Sequence, residues 1–205
     1  MVEALRQLAT RNVTGLEELS DEAIVDLCKK ELPNDVTAYR ELLRRYEGLV
    51  YNTCNRVLNS PSDAEEVAQD ILIQVFHKIK QFENRSKFKT WLYKVVHNYC
   101  NNRLSKIIRK REGSEKYETH ATQQELSREN EDVHSEVSEA VRESINALKS
   151  SEREILTLKF MSGLTIQEIS NVMDIGLSAA KMRLYRAMES FKEVYTKRLE
   201  EEQKP

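Results

Sequence analysis

Basic side chains are concentrated in one stretch of the sequence. Residues 77–111 contain eleven lysines and arginines and a single acidic residue, Glu83. Ordinary solvated helices mix the two signs, because oppositely charged side chains one turn apart attract each other. A run of one sign is typical of a surface that binds a polyanion, and we expect this stretch to contact nucleic-acid phosphates.

A second basic stretch lies near the C-terminus, and an acidic stretch separates the two. Residues 177–199 have a charge balance of +4, and residues 112–143 have a balance of −7. Because the whole chain carries only −2, the distribution of charge and not its total indicates the partner. Taken by itself, the acidic stretch is equally consistent with a tether that only keeps the chain soluble.

Side-chain sets for catalysis or metal binding are not evident in the sequence. His97 and Cys100 are three residues apart, but no second pair completes a zinc site. Cys28, Cys54 and Cys100 are odd in number and widely spaced, which argues against a disulfide framework. Glycine-rich phosphate loops, nucleophilic triads and paired catalytic carboxylates are also missing. We therefore expect a binding protein that is not an enzyme and needs no metal or cofactor.

The elements that position these residues are predicted to be helices. A sheet protein of 205 residues needs many tight turns, yet the chain has five glycines and three prolines. Hydrophobic residues make up 40% and charged residues 32%. No window approaches the roughly 18 apolar residues of a membrane span, and no secretory signal is evident. We expect an all-α protein, without membrane insertion, in the cytoplasm.

Apolar residues at helical spacing predict four helices in the first half. Ser20 or Asp21 caps a short helix that Pro33 ends, and Ser86 is expected to cap the last of the four. The three longer helices are predicted at about 36–58, 61–80 and 86–109. Residues 110–135 have too few core-forming side chains to offset the entropy of ordering, which predicts a linker.

The second half is predicted to form another small helical domain. Ser151 and Glu154 have the spacing of a capping box, and Gly163 is expected to end the helix that follows. The domain organisation is then an N-terminal extension (1–19), a four-helix domain (20–109), an acidic linker (110–135) and a C-terminal domain (136–205).

A helix-turn-helix is predicted at about 165–186 within that C-terminal domain. Thr165 caps a first helix at about 166–173, and the turn passes through Asp174 and Gly176. In such motifs the second helix enters the major groove, where Arg and Lys reach guanine or phosphate. An ordinary helical hairpin with a charged face has the same spacing. The outward side chains are Ser178, Lys181, Met182, Arg183, Tyr185 and Arg186.

This motif resembles the fourth conserved region of extracytoplasmic-function (ECF) sigma factors, whose pattern is roughly LTxxEIAxxLGISxGTVKxRLxRA. Ser170, Asp174 and Gly176 depart from it. The family register starts the second helix at 177, whereas local capping by Ser178 would start it at 179. The matching residues are Leu164, Thr165, Glu168, Ile169, Val172, Ile175, Lys181, Arg183, Leu184, Arg186 and Ala187.

The first domain resembles the same family. Residues 62–70 look like the helix that docks on the coiled coil of the largest RNA polymerase subunit. The same acidic side chains also suit the dipole of a capped helix start, so both roles are open. The resemblance implies core-polymerase contacts from Asp63, Glu65, Glu66, Gln69 and Asp70.

Residues 82–98 look like the family's segment for DNA melting and −10 recognition. Strand separation requires a site for an unstacked base, and a polar loop with aromatic walls supplies one. Phe88 and Trp91 are also expected to be partly core. The implied DNA contacts are Asn84, Arg85, Ser86, Lys87, Phe88, Lys89, Trp91, Lys94, Asn98 and Arg103.

The resemblance implies a transcription initiation factor that binds core RNA polymerase and promoter DNA, reading the −10 and −35 elements and promoting melting. It also implies an anti-sigma factor as a partner, and a linker that enters a basic channel of the polymerase. An autonomous helix-turn-helix repressor or activator is the alternative, but it needs a dimer, and no long heptad seam is evident. A helical adaptor without DNA binding is a further alternative.

Overall fold

The computed structural model describes residues 15–114 and 139–202, and helices are the regular secondary structure throughout these ranges. This confirms the all-α prediction. Residues 1–14, 115–138 and 203–205 lie outside the described residues, and they include most of the predicted linker. The helices are α1 (Asp21–Glu31), α2 (Thr37–Leu58), α3 (Pro61–Lys78), α4 (Phe88–Ser114), α5 (Glu139–Ala147), α6 (Ser150–Leu156), α7 (Ile166–Met173) and α8 (Leu177–Glu202).

Helices α1 to α4 pack around one hydrophobic core, and we call them the first unit. Each helix turns an apolar stripe inward at the predicted spacing, so that Ile24, Val50, Ile71 and Phe88 are almost fully buried. The three cysteines are buried in the same core, with the Sγ atoms of Cys54 and Cys100 3.7 Å apart. A short 3₁₀ turn (Ile79–Gln81) leads from α3 into the loop before α4.

A buried carboxylate on α2 anchors the start of the described chain. Glu41 is 1% exposed and accepts hydrogen bonds from Arg44 Nε (2.8 Å) and Arg45 Nε (2.7 Å). Arg45 also donates to the carbonyl oxygens of Leu16, Glu17 and Leu19. Part of the predicted N-terminal extension is therefore tied to α2.

Two of the three predicted N-cap residues in the first unit are confirmed, and the third is wrong. The Ser20 and Ser60 hydroxyls accept from backbone N–H groups three residues ahead, and Pro61 is the first residue of α3. Ser86 does not cap α4, contrary to the prediction. The Trp91 N–H donates to Lys87 O (3.2 Å), so that Lys87 is the N-cap residue and α4 starts at Phe88.

Helices α5 to α8 form the second unit, around Ile155, Leu158 and Ile169. The predicted Ser151–Glu154 capping box is wrong. Helix α6 starts earlier, and its Glu152 carboxylate accepts from the Lys149 N–H (3.2 Å). A π turn (Thr157–Met161) follows α6, and Gly163 then takes a left-handed φ of 66°. The chain thus turns at the predicted glycine.

The two units are packed against each other. Tyr93 of α4 is 1% exposed and belongs to the hydrophobic cluster of the second unit, together with Leu148, Ile155 and Leu158. Helix α4 contacts α7, and α2 contacts α6. The sequence predicted two domains joined by a linker, and the structure adds a direct interface between them.

Candidate nucleic-acid interface

Helices α7 and α8 form the predicted helix-turn-helix. Thr165 and Glu168 make a reciprocal capping box: the Thr165 N–H donates to the Glu168 carboxylate (2.9 Å), and the Glu168 N–H donates to Thr165 Oγ1 (3.2 Å). Hydrogen bonds that the Thr165 N–H and the Thr165 hydroxyl donate to the carboxylate hold the pKa of Glu168 below its ordinary value, the backbone bond being the larger cause. Asp174 takes the left-handed turn position with φ 53°.

Helix α8 begins at Leu177, which decides between the two expected starts. The Ala180 N–H donates to Gly176 O (2.9 Å), so Gly176 is the N-cap residue and Ser178 lies inside the helix. Ala180 and Ala187 are fully buried and Leu184 is half-buried. The six predicted outward side chains are all exposed: Ser178, Lys181, Met182, Arg183, Tyr185 and Arg186.

The exposed face of α8 combines cationic and large apolar side chains. Met182 is 52% exposed and Tyr185 is 58% exposed, each next to an arginine in the sequence. Large exposed apolar groups mark contact surfaces on soluble proteins. In a DNA groove, apolar groups pack on the thymine methyl and cations reach guanine or phosphate. This face of α8 therefore carries both types of side chain, apolar and cationic, that make contacts with base edges.

A groove of about 530 Å³ lies between the start of α6 and one side of α8. Lys149, Arg183 and Arg186 place three cationic side chains along it. Glu152, also in the groove, accepts from the Ser190 hydroxyl (3.0 Å) and the Lys149 N–H. Sequence reasoning missed Lys149, because it lies outside the helix-turn-helix and only the fold brings it beside α8.

The predicted polymerase-docking residues lie at the start of α3. Glu65, Glu66, Gln69 and Asp70 are exposed there. Asp63 and Glu66 also pair with Arg103 of α4, whose Nε donates to Asp63 (2.8 Å) and whose Nη1 donates to Glu66 (3.1 Å). Burial raises the pKa of Asp63, but hydrogen bonds from Arg103 and Ser60 outweigh it and hold the pKa below its ordinary value.

Arg103 therefore lies with the acidic residues at the start of α3. Its guanidinium group bridges two carboxylates, Asp63 and Glu66, that were predicted to bind the polymerase. A contact between this guanidinium and a DNA strand would compete with these two ion pairs. In this structure its evident role is to fasten α4 to the start of α3.

The loop before α4 has an ordered conformation. Asn84 has a left-handed φ of 56°, accepts from Lys29 Nζ (3.0 Å) and donates weakly to Asp26 (3.5 Å). Beneath the loop, the rings of Phe82, Phe88 and Trp91 lie with centroids 5.3–5.9 Å apart. The exposed side chains on this rim are Glu83, Asn84, Arg85, Ser86 and Lys87.

The predicted −10 residues on α4 differ in their exposure. Phe88 is 1% exposed and belongs to the core, so it supports the site from below. Lys89 and Trp91 are half-buried. Lys87, Lys94 and Asn98 are exposed at spacings of seven and four residues, which places them on one stripe of the helix. The structure thus brings this stripe together with the Asn84–Ser86 loop.

Within residues 15–114 and 139–202, no group of three His, Cys, Asp or Glu side chains is arranged to hold a metal ion. The helices of the same ranges include none that is long and apolar enough to cross a membrane.

Comparison with known proteins identifies conserved regions in both units. The family model for Sigma-70 region 2 matches residues 42–111, and the model for Sigma-70 region 4 matches residues 138–191. The ECF RNA polymerase sigma-E factor of Haemophilus influenzae is 29% identical over 84% of this chain and 94% of that protein. The ECF RNA polymerase sigma factor SigW of Bacillus subtilis is 26% identical over 80% of this chain and 92% of that protein.

A solved structure supports the fold. The sigma factor RpoE of Bartonella quintana, in complex with the anti-sigma factor NepR, has a TM-score of 0.61 and is 19% identical. The match covers 77% of this chain and 96% of that one. Since both conserved regions are present in the same order, and the relatives are matched over more than nine-tenths of their length, the chain belongs to the sigma-70 family and, within it, to the ECF RNA polymerase sigma factors.

Proposed function

We propose that this protein directs RNA polymerase to promoters by binding the core enzyme and contacting two separate DNA elements. The observation that carries the proposal is the presence of two exposed cationic surfaces, one on α4 and one on α8, in the two conserved regions of a sigma factor. The four-helix domain (20–109) is assigned to the −10 element and to docking, and the C-terminal domain (136–205) to the −35 element.

The −35 element is proposed to be read by α8. Ser178, Met182 and Tyr185 lie on the side of the helix opposite to buried Ala180 and Ala187. On this side they would face the base pairs at the floor of the DNA major groove. The protein's own groove, which Lys149 lines, lies along one flank of this face of α8. We assign Lys149 to a DNA phosphate, because a single flexible ammonium group gives a charge contact without bidentate reading of a base.

Docking on core polymerase is assigned to the exposed acidic side of α3. Glu65 and Asp70 lie on it with Gln69 between them. A basic partner surface gains electrostatic steering from such a patch, and the contact does not disturb the buried face of α3. Asp63 and Glu66 contribute indirectly, because their ion pairs with Arg103 hold α3 against α4.

Promoter melting is assigned to the loop at Asn84–Ser86 and to the exposed stripe of Lys87, Lys94 and Asn98. The loop supplies polar side chains, and Trp91 at its base supplies a half-buried ring for stacking. Capture of an unpaired base then provides the free energy of strand separation, roughly 1–3 kcal/mol per stacked base. The proposed mechanism uses no nucleotide cofactor, and the protein itself performs no catalysis.

The setting of this activity is proposed from the relatives. Sigma factors of the family act with RNA polymerase, so we place the protein in the cytoplasm. The Bartonella quintana relative was solved with an anti-sigma factor, and we propose that a protein of that kind also restrains this chain. The acidic linker is proposed to enter a basic channel of the polymerase.

Reconstitution with core RNA polymerase tests the proposal. The purified chain mixed with core enzyme should produce transcripts from a set of genomic promoter fragments, and core enzyme alone should not. In gel-shift experiments the chain without core enzyme should show no sequence-specific binding to those fragments. Specific duplex binding without core polymerase would instead identify an autonomous helix-turn-helix regulator.

A further inference from the structure

Two side chains of α1 reach the loop that precedes α4. Lys29 Nζ donates to Asn84 Oδ1 (3.0 Å), and Asn84 Nδ2 donates weakly to Asp26 Oδ1 (3.5 Å). Asp26 and Lys29 belong neither to the basic stretch nor to the motifs that predicted the DNA contacts. Helix α1 therefore takes part in shaping this loop, in addition to its share of the core.

Lys29 is held in place by its own surroundings. Its side chain is 22% exposed and forms an ion pair with Asp26 (3.6 Å). Its ammonium group lies 5.2 Å from the centre of the Phe82 ring, a cation–π contact. Phe82 is 5% exposed and packs against Trp91, and α1 is fixed by its buried apolar face. The ammonium group is thus a positioned donor beneath the loop.

The neighbouring polar side chains of the loop are bonded differently. Arg85 pairs with Glu83 (2.7 Å), and Ser86 Oγ donates to Lys87 O (3.3 Å), so these contacts stay within the loop. Arg85 and Glu83 are 85% and 63% exposed, and an ion pair in water restricts its side chains little. The fold therefore determines the orientation of Asn84 more strictly than that of Arg85 or Ser86.

The two partners on α1 allow one orientation of the Asn84 amide. An ammonium group only donates hydrogen bonds and a carboxylate only accepts them. A reversed amide would place donor against donor at Lys29 and acceptor against acceptor at Asp26. The amide has two lone pairs and two N–H groups, and α1 uses one of each. One acceptor and one donor remain, in a fixed order, on an exposed side chain.

An ordered pair of donor and acceptor distinguishes between bases. The edges of the four bases differ in the sequence of their donors and acceptors. A base that has left the stack is recognised by hydrogen bonds to its Watson–Crick edge. Reversal of the Asn84 amide would exchange its donor and acceptor, and a different base edge would then match it.

We infer that Lys29 and Asp26 determine which base the loop before α4 accepts, because they hold the Asn84 amide in one orientation. The inference rests on the proposed function, in which this loop captures an unpaired base. Lys29 is a positioning residue in this role: it acts through Asn84 and makes no contact with DNA.

The orientation of the amide is tested in the free protein. In a ¹⁵N-labelled chain, the side-chain amide signals of Asn84 are those that disappear in Asn84→Gly. They should shift in Lys29→Met, which removes the ammonium group but keeps an apolar stem over Phe82. The control Lys30→Met makes the same change at the exposed neighbouring position and should leave them in place. Unchanged signals in Lys29→Met would overturn the inference.

Base preference is tested with the polymerase holoenzyme and single-stranded −10 oligonucleotides. The oligonucleotides derive from a promoter that the reconstituted enzyme transcribes, with each of the four bases at each position. Lys29→Met should reduce discrimination at one position about tenfold, the order that one oriented pair of hydrogen bonds contributes. Lys29→Glu should reverse the amide and change the preferred base at that position. Lys30→Met and Lys30→Glu should alter neither property.

A double variant separates positioning from a direct DNA contact. Asn84→Gly should already lose discrimination at that position, so the addition of Lys29→Met should cause no further loss. Lys29→Met might instead weaken binding of all bases alike and reduce the steepness of the salt slope by about 0.7. That result would show Lys29 on a phosphate and overturn the inference.

Failure of the inference differs from failure of the proposed function. A holoenzyme that binds none of the oligonucleotides would refute the proposed function, and the inference with it. A holoenzyme whose base preferences are the same in the unmodified protein, Lys29→Met and Lys29→Glu would refute the inference alone. Circular dichroism and urea unfolding of each variant show whether a loss of binding reflects a loss of folded protein.

Discussion

Lys149 provides a quantitative test of how the second unit holds DNA. Its side chain lies in the groove with Arg183 and Arg186, outside the helix that enters the DNA groove. Each phosphate that a cation neutralises contributes about −0.9 to the slope of log affinity against log salt. If Lys149 contacts one phosphate, Lys149→Ala should reduce the steepness of that slope by about 0.9.

The expected change in affinity follows from this slope. Between 50 and 200 mM salt, one such contact weakens binding about 3.5-fold, and three contacts weaken it about 40-fold. The unmodified protein should therefore lose about 3.5-fold more affinity over this range than Lys149→Ala. Because phosphate contacts carry no sequence information, the variant should weaken all promoter sequences alike.

The assay is fluorescence anisotropy of a promoter fragment titrated with the polymerase holoenzyme at four salt concentrations. Lys192→Ala is the matched control, since it removes an exposed lysine of α8 that is not part of the groove. An unchanged slope in Lys149→Ala, or an equal change in Lys192→Ala, would refute the assignment of the groove to the DNA backbone. A loss confined to one base position would show that Lys149 reads sequence.

Three further predictions address docking, melting and stability. Asp70→Lys should weaken binding to core polymerase at least tenfold by labelled titration while circular dichroism stays native; unchanged affinity would place docking elsewhere. Asn84→Gly with Ser86→Ala should preserve the left-handed loop backbone yet slow open-complex formation roughly 5- to 150-fold, which corresponds to the stacking free energy of one captured base. A template already melted at the −10 element should recover part of the lost rate. Equal permanganate reactivity of variant and unmodified protein on duplex templates would exclude the loop from melting. Arg45→Ala should lower the free energy of unfolding by about 2–4 kcal/mol, because it removes a buried partner of Glu41 and the anchor of the N-terminal segment. The Arg44 side chain is 60% exposed, so Arg44→Ala should lower the free energy of unfolding by less. Equal losses of the two variants in urea unfolding would contradict this reasoning.

Local sequence signals predicted most helix boundaries correctly because their causes are local. Ser60 with Pro61 starts a helix through bonds within one turn, and the same holds for Thr165 with Glu168. Asp174 took the left-handed turn position that its short polar side chain tolerates. Family register located the start of α8 better than the capping preference of Ser178 did, because Gly176 itself serves as the N-cap residue.

Contacts between distant segments were not predictable from periodicity. Arg103 has the charge of a DNA contact, and only the packing of α4 on α3 places it between Asp63 and Glu66. Glu154 has the spacing of a capping residue, yet it faces His97, 57 residues away in the sequence. Such pairings depend on tertiary structure, and they decide which charged residues remain available to a partner.

The burial of the three cysteines has a consequence for the chemistry of the protein. Loss of solvation in the core raises the pKa of Cys28 to about 12. Only about one molecule in 10⁵ then carries the reactive thiolate at pH 7, compared with a few per cent for an ordinary exposed thiol. Peroxides and alkylating reagents should spare the Cys28 thiol while the chain is folded. Modification of Cys28 would thus follow the rate at which α1 leaves the core, which makes a slow thiol reagent a direct probe of local unfolding in the first unit.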